Sequence, residues 1–182
     1  MDVEDLSELE KAILLVSIAD GGKPIPGDTW LQKEIFLIAK NVPEIDREAN
    51  YSPDFFGPFS ENLEEGLEEL EQEELIKISG TKISITEEGK KLIEKIKNNF
   101  EKSSLIIIED FKKLLNDLTE DELLTFIYFT YPQTTSESQA LQRVIQNRLR
   151  NSISLYKKGK ISLSKASELS GKPIDELGKL VK

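Results

Sequence analysis

The sequence predicts a mainly α-helical protein: a winged helix–turn–helix with one β-hairpin wing, then a helical extension and a small carboxy-terminal helix–turn–helix. Three observations carry this expectation. Apolar residues recur at helical spacing behind Ser and Thr caps. Two short period-two stretches, Leu75-Ile-Lys-Ile and Ile83-Ser-Ile, flank Ser79-Gly80-Thr81 and read as a hairpin. The tail places Ser162, Ala166, Ser167, Gly171 and Pro173 at the spacing of two helices joined by a tight turn. With 182 residues and 38% apolar content, the chain can fill the core of one domain or two small ones.

The elements follow in order. Ser7-Glu8-Leu9-Glu10 is a capping box, and the helix behind it stops at Asp20-Gly21-Gly22. Asp28 is placed to cap a second helix, Trp30 to about Lys40, with Leu31, Ile35, Phe36 and Ile38 facing inward and Trp30 packing beside the cap. Pro43 to Asn50 reads as a loop. Tyr51 to Ser60 reads as an aromatic turn that cannot be regular helix. Ser60 caps a third helix with an inward stripe of Leu63, Leu67 and Leu70, and after the hairpin Thr86 caps a fourth through Leu92, Ile93 and Ile96. Residues 106–115 and 120–128 look helical, the latter behind a second capping box, Thr119-Glu-Asp-Glu122. The Thr- and Ser-rich stretch 132–138 is the best linker candidate, dividing a winged-helix domain with its extension (1–131) from a basic helical tail (139–182). That tail opens on a helix striped by Leu141, Ile145, Leu149, Ile153 and Tyr156. In the turn after it, Gly171 supplies a left-handed conformation and Pro173 opens the last helix, with Leu177 and Leu180 packing back on Leu163 and Ala166.

Composition excludes several classes of function. Without cysteine or histidine there are no disulfides, thiolate nucleophiles, zinc ribbons or histidine-based triads, so we expect no enzyme, no metal and no cofactor. Apolar runs such as Ile13–Val16 and Leu105–Ile108 are far too short to span a membrane, and the acidic start is unlike a secretory signal; a soluble cytoplasmic protein is expected. Gly21-Gly-Lys-Pro-Ile-Pro-Gly27 lacks the ending of a phosphate loop and reads as a plain loop.

Charge is unevenly distributed. Residues 1–140 hold 14 Lys and Arg against 31 Asp and Glu, whereas residues 141–182 hold 10 against 3. A basic tail on an acidic body suggests nucleic acid or an acidic partner. The third helix of a winged helix commonly enters the major groove, yet here it carries Glu61, Glu64, Glu65, Glu68 and four further glutamates with no cation. Such a helix repels phosphates, so it is expected not to read DNA; it is either a solvated face or a docking surface for a basic protein. Phe55, Phe56 and Phe59 beside it brace the turn or receive a partner's side chain. In the tail, Arg143, Arg150 and Lys157 recur every seven residues, Arg148, Lys158, Lys160, Lys165 and Lys172 add charge near the turn, and Lys179 and Lys182 follow; these are the candidate phosphate contacts. The stripe Leu141, Ile145, Leu149, Ile153 is either a homodimer seam or a face packed on the first domain.

Two segments resemble known prokaryotic families. Leu31-Gln-Lys-Glu-Ile-Phe-Leu, Phe55-Phe-Gly-Pro-Phe-Ser60, Thr86-Glu-Glu-Gly, Asp121-Glu-Leu-Leu and Tyr128 to Pro132 make residues 30–131 resemble winged-helix proteins related to the Panacea-type antitoxin domains. Leu155-Tyr-Lys-Lys-Gly-Lys-Ile-Ser-Leu-Ser-Lys-Ala-Ser-Glu-Leu-Ser-Gly171 makes residues 154–181 similar to a small family of antitoxin-like helix–turn–helix proteins. The resemblance implies a transcriptional regulator, with the antitoxin half of a toxin–antitoxin pair as one form of it and a small basic toxin as the partner. It brings no catalytic residue. The alternative, from a different class, is a protein-interaction adaptor that never touches nucleic acid.

Overall fold

A computed structural model describes residues 2–181 and is mainly helical, with a small antiparallel hairpin. The chain forms two compact units. The first comprises residues up to Ser52 together with Phe59–Asp117; the second comprises Pro53–Pro58 and the residues from Leu118 onward.

In the first unit, α1 (Glu8–Gly22) begins with the expected reciprocal cap: Ser7 accepts from the Glu10 amide while the Glu10 carboxylate accepts from Ser7 N. Its backbone leaves helical geometry at Ala19, and Asp20 and Gly21 take positive φ of 51° and 69°. Helix α2 (Asp28–Ala39) starts two residues earlier than expected. Asp28 sits in its first turn, and the cap position belongs to Gly27, which makes no side-chain cap. The stretch read as a loop is instead α3 (Pro43–Ala49). Pro43 occupies the first turn, where its missing N–H is harmless, and Asn50 closes the helix in the left-handed conformation at φ 47°.

The aromatic turn segment forms a short hairpin, β1 (Ser52–Asp54) and β2 (Gly57–Phe59). Helix α4 (Glu61–Gln72) then follows its Ser60 cap, with Leu63, Leu67 and Leu70 buried as expected. Buried Gln32 of α2 fixes where α4 starts: its amide donates to Ser60 O at 2.9 Å, and Ser60 N donates to its Oε1 at 3.0 Å. Strands β3 (Ile76–Ser79) and β4 (Lys82–Ile85) pair antiparallel, Ile76 opposite Ile85 and Ile78 opposite Ile83, and Ile25 bridges Ile83 from its other side. Helices α5 (Glu87–Lys97), capped by Thr86, and α6 (Lys102–Leu115) complete the unit. Ile13, Leu14, Leu31, Ile35, Ile38, Ile45, Leu63, Leu70, Ile83 and Ile96 form its core.

One polar pair interrupts that core. Glu34 of α2 and Lys112 of α6 are both fully buried and 3.8 Å apart, and among the described residues neither the Glu34 carboxylate oxygens nor Lys112 Nζ has a hydrogen-bond partner. Burial pushes the Glu34 carboxyl up to about 8, against the attraction of Lys112, and the same desolvation pushes the Lys112 ammonium down.

In the second unit, α7 (Glu120–Thr130) begins with the Thr119–Glu122 capping box. The stretch expected to be a linker is anchored rather than free. It opens with a 3-10 turn, Pro132–Thr134; further on, Ser138 Oγ lies 2.6 Å from the Tyr128 hydroxyl and donates to Phe55 O at 3.2 Å, which also accepts from Gln139 N at 3.0 Å. The chain accordingly divides at Asp117–Leu118, before α7, and residues 132–138 lie inside the second unit.

Helix α8 (Leu141–Lys157) does not bury the stripe Leu141, Ile145, Leu149, Ile153 fully: its buried residues are Val144, Asn151, Ser152 and Leu155, and Ile145 is 45% exposed. The reason is polar. Asn151 donates to Asp121 O and Thr125 Oγ1, and Ser154 donates to Glu122, so α8 turns this hydrogen-bonding side toward α7. Helices α9 (Leu163–Ser170) and α10 (Ile174–Leu180) meet at Gly171, left-handed at φ 69°, with Ala166 and Leu177 fully buried. Leu180, expected to pack back, is 54% exposed.

Candidate nucleic-acid and partner surfaces

Lys182 lies outside the described residues; the other nine candidate phosphate contacts separate into engaged and free cations. Arg143 is held by two carboxylates of the first turn of α7, Glu120 at 2.6 Å and Asp121 at 3.1 Å, and its hydrogen bond to Glu120 raises its pKa. Lys158 lies 2.6 Å from the buried carboxylate of Glu122. Burial pushes that acid up, but hydrogen bonds from Lys158, Ser154 and Thr119 N outweigh it and hold Glu122 below the usual carboxylate range. Lys165 pairs with Glu168 at 2.7 Å, and Lys160 is half-buried with an interaction of its own.

Arg148 is structural. Its guanidinium lies 3.8 Å from the centroid of the Phe129 ring, Nε donates to Leu169 O, and Nη2 donates to Glu168 O at 3.1 Å. It thereby adds donors to carbonyls at the end of α9, of which Glu168 O also accepts from Gly171 N at 3.3 Å. Gly171 is required beneath it: a Cβ there would come within 2.9 Å of Nη1, at a positive φ.

Arg150, Lys157, Lys172 and Lys179 remain. All four are exposed, and among the described residues none makes an ion pair or a side-chain hydrogen bond. From Ser138 to Ser167 the sequence contains no Asp or Glu, so nothing local neutralises Arg150 or Lys157. On α10 the exposed first turn offers Ile174, Asp175 and Glu176.

In the first unit, Glu61, Glu64, Glu65, Glu68, Glu69 and Glu71 of α4, with Glu73 and Glu74 after it, are all exposed. Among the described residues none of these carboxylates meets a cation, and Glu71 accepts from Ile78 N at 3.1 Å. Phe59 is half-buried, and Tyr51 is a brace whose hydroxyl donates to Gln32 O at 2.9 Å. Phe55 and Phe56, at the hairpin turn, are 52% and 46% exposed. The turn that carries them is fixed from behind, since the Phe55 carbonyl takes two hydrogen bonds and a Cβ on Gly57 would strike the Tyr128 ring at 2.7 Å.

Sequence reasoning missed the acceptors on α7 and the Glu34–Lys112 pair. The first-turn acids Glu120, Asp121 and Glu122 carried a usable signal, because three carboxylates at one helix start attract any cation packed beside them; which cations those are is set only by how α8 packs. Among the described residues no cluster of acids could hold a metal ion, and no helix is long and apolar enough to cross a membrane. Compared with protein-family models, curated proteins and solved structures, the chain matches none.

Proposed function

We propose that the chain is a DNA-binding regulator of the antitoxin kind, with the basic tail on nucleic acid and the acidic first unit on a basic protein partner. The observation that carries this reading is the set Arg150, Lys157, Lys172 and Lys179, exposed and unneutralised beside a carboxylate-free stretch. Free cations displace condensed counterions from a polyphosphate, whereas those already held by Glu120, Asp121, Glu122 and Glu168 have little left to give. A winged-helix reading of the first unit is supported by the order α1, Ile25 bridge, α2, α4, β3–β4, α5. In that arrangement α4 stands where DNA is commonly read, and its eight neighbouring carboxylates repel phosphate and favour a cationic protein. With Asp175 and Glu176 at the start of α10, the tail orients on phosphates and discriminates weakly between base sequences.

The test is a gel shift of the full chain against R150Q/K157Q/K172Q/K179Q, all four positions being exposed. The quadruple variant is expected to lose binding at moderate salt, while R143Q binds as tightly as the parent. Equal binding by the parent and the quadruple variant contradicts the proposal.

A second reading, a protein adaptor without nucleic acid, is favoured by the Phe55–Phe56 turn. Two exposed aromatic rings on a rigidly backed turn suit the centre of a protein interface. Under that reading F55S/F56S abolishes co-purification of the cellular partner and leaves the melting temperature unchanged; retained partner binding removes its support.

A further inference from the structure

We propose that the outward face of α8 is a docking surface for an acidic amphipathic helix of a partner protein. At about 100° per residue, Ile145, Tyr156, Leu149 and Ile153 fall within roughly 80° of the helix circumference. This arc adjoins the face buried by Val144, Asn151, Ser152 and Leu155 at Ser152 and runs from there round the helix toward Arg150 and Lys157. Ile145 is 45% exposed, and Leu149, Ile153 and Tyr156 are half-buried. Arg150 and Lys157 run along one edge of the same arc, both exposed and unpaired, while Arg143, the next cation along that edge, is already held by Glu120 and Asp121. An apolar stripe flanked by unsatisfied cations matches a helix with an apolar stripe and a carboxylate edge.

The charge pattern selects the occupant. An antiparallel second copy would set Arg150 and Lys157 against cations of its own kind. A parallel copy would offer them no carboxylate either, because α8 contains none. A partner helix bearing Glu or Asp along one edge satisfies both cations and covers the stripe. The assignment is independent of the nucleic-acid reading but shares Arg150 and Lys157 with it, so the acidic helix and DNA exclude one another at this face.

The experiment measures fluorescence anisotropy of a labelled 18-residue helical probe with leucine along one face and glutamate on its flanks, titrated with the full-length protein in the absence of DNA. A matched probe carries lysine in place of glutamate. The acidic probe is expected to bind at least tenfold more tightly than the basic one. I145S and R150E/K157E, all at exposed positions, should each weaken it at least tenfold with unchanged circular dichroism, and R150E/K157E should now prefer the lysine probe. Failure of the acidic probe to bind overturns the proposal, as does binding indifferent to R150E/K157E. A protein dimer dissociated by I145S would assign the face to a second copy, and anionic vesicles displacing the probe would assign it to a membrane surface; either result also overturns it. Because no DNA is present, loss of the DNA-binding reading leaves this outcome unaffected.

Discussion

K112M destabilises the first unit by about 3–5 kcal/mol near neutral pH, because removing one member of a buried polar pair leaves Glu34 to be held either as an unpaired carboxylate or as a carboxyl protonated against the solution pH. Glu34 and Lys112 are both fully buried and among the described residues have no other hydrogen-bond partners, so no neighbouring group takes over. The double variant E34L/K112M should recover most of that loss and match or exceed the parent, since apolar side chains of similar volume fit between α2 and α6 without desolvating charge. The pair also gives the loss a definite pH dependence. A carboxyl raised in the folded state contributes stability that is whole below its ordinary value of 4.5 and is lost as pH climbs to about 8. In K112M the attraction that held Glu34 down is gone, so the upper end of this window moves higher still. Urea unfolding of K112M should therefore show stability falling from pH 5 to pH 8, and E34Q/K112M should be flat over the same range. A K112M protein as stable as the parent at pH 7.5 would contradict this account of the core.

R148A loosens the second unit by about 2–4 kcal/mol, combining two charge-assisted hydrogen bonds to the end of α9 with a cation–π contact. Arg148 ties three helices: it stands on α8, its guanidinium covers Phe129 of α7, and it donates to Leu169 and Glu168 of α9. R148K should recover little, because an ammonium lacks the planar fork that meets a ring and two carbonyls together. Amide hydrogen exchange checks this by element: in R148A protection should fall in α8 and α9 and stay at parental values in α1 and α2. Unchanged exchange in α9, coupled with a loss of DNA affinity, would return Arg148 to the phosphate-contacting set.

Local chemistry made most elements of the fold legible in the sequence. Ser7, Ser60, Thr86, Thr119 and Ser162 each cap the helix that follows, and Ile76 and Ile78 pair with Ile85 and Ile83 around the expected turn. The misses share a cause. Pro43 to Asn50 reads as a loop, yet the first turn of a helix tolerates proline, and α3 begins there. Hydrophobicity alone would bury the stripe Leu141, Ile145, Leu149, Ile153, which the sequence leaves open as a homodimer seam or a face packed on the first domain. Hydrogen bonds from Asn151 and Ser154 to α7 turn α8 the other way. The candidate site was legible as composition: the tail is basic and α4 is acidic. Which cations stay free was not legible, because that depends on α7 supplying Glu120, Asp121 and Glu122 to two of them and Phe129 to a third.

The salt dependence of DNA affinity tests the central claim most directly, since it counts the phosphates that the protein neutralises. Log affinity against log salt should be linear with a slope near −3.6, about −0.9 for each of the four free cations. The R150Q/K157Q/K172Q/K179Q variant should give a slope near zero. A parental slope of about −8, as expected if all nine described tail cations reached phosphates, or an undiminished slope in the quadruple variant, would contradict the division between engaged and free charge.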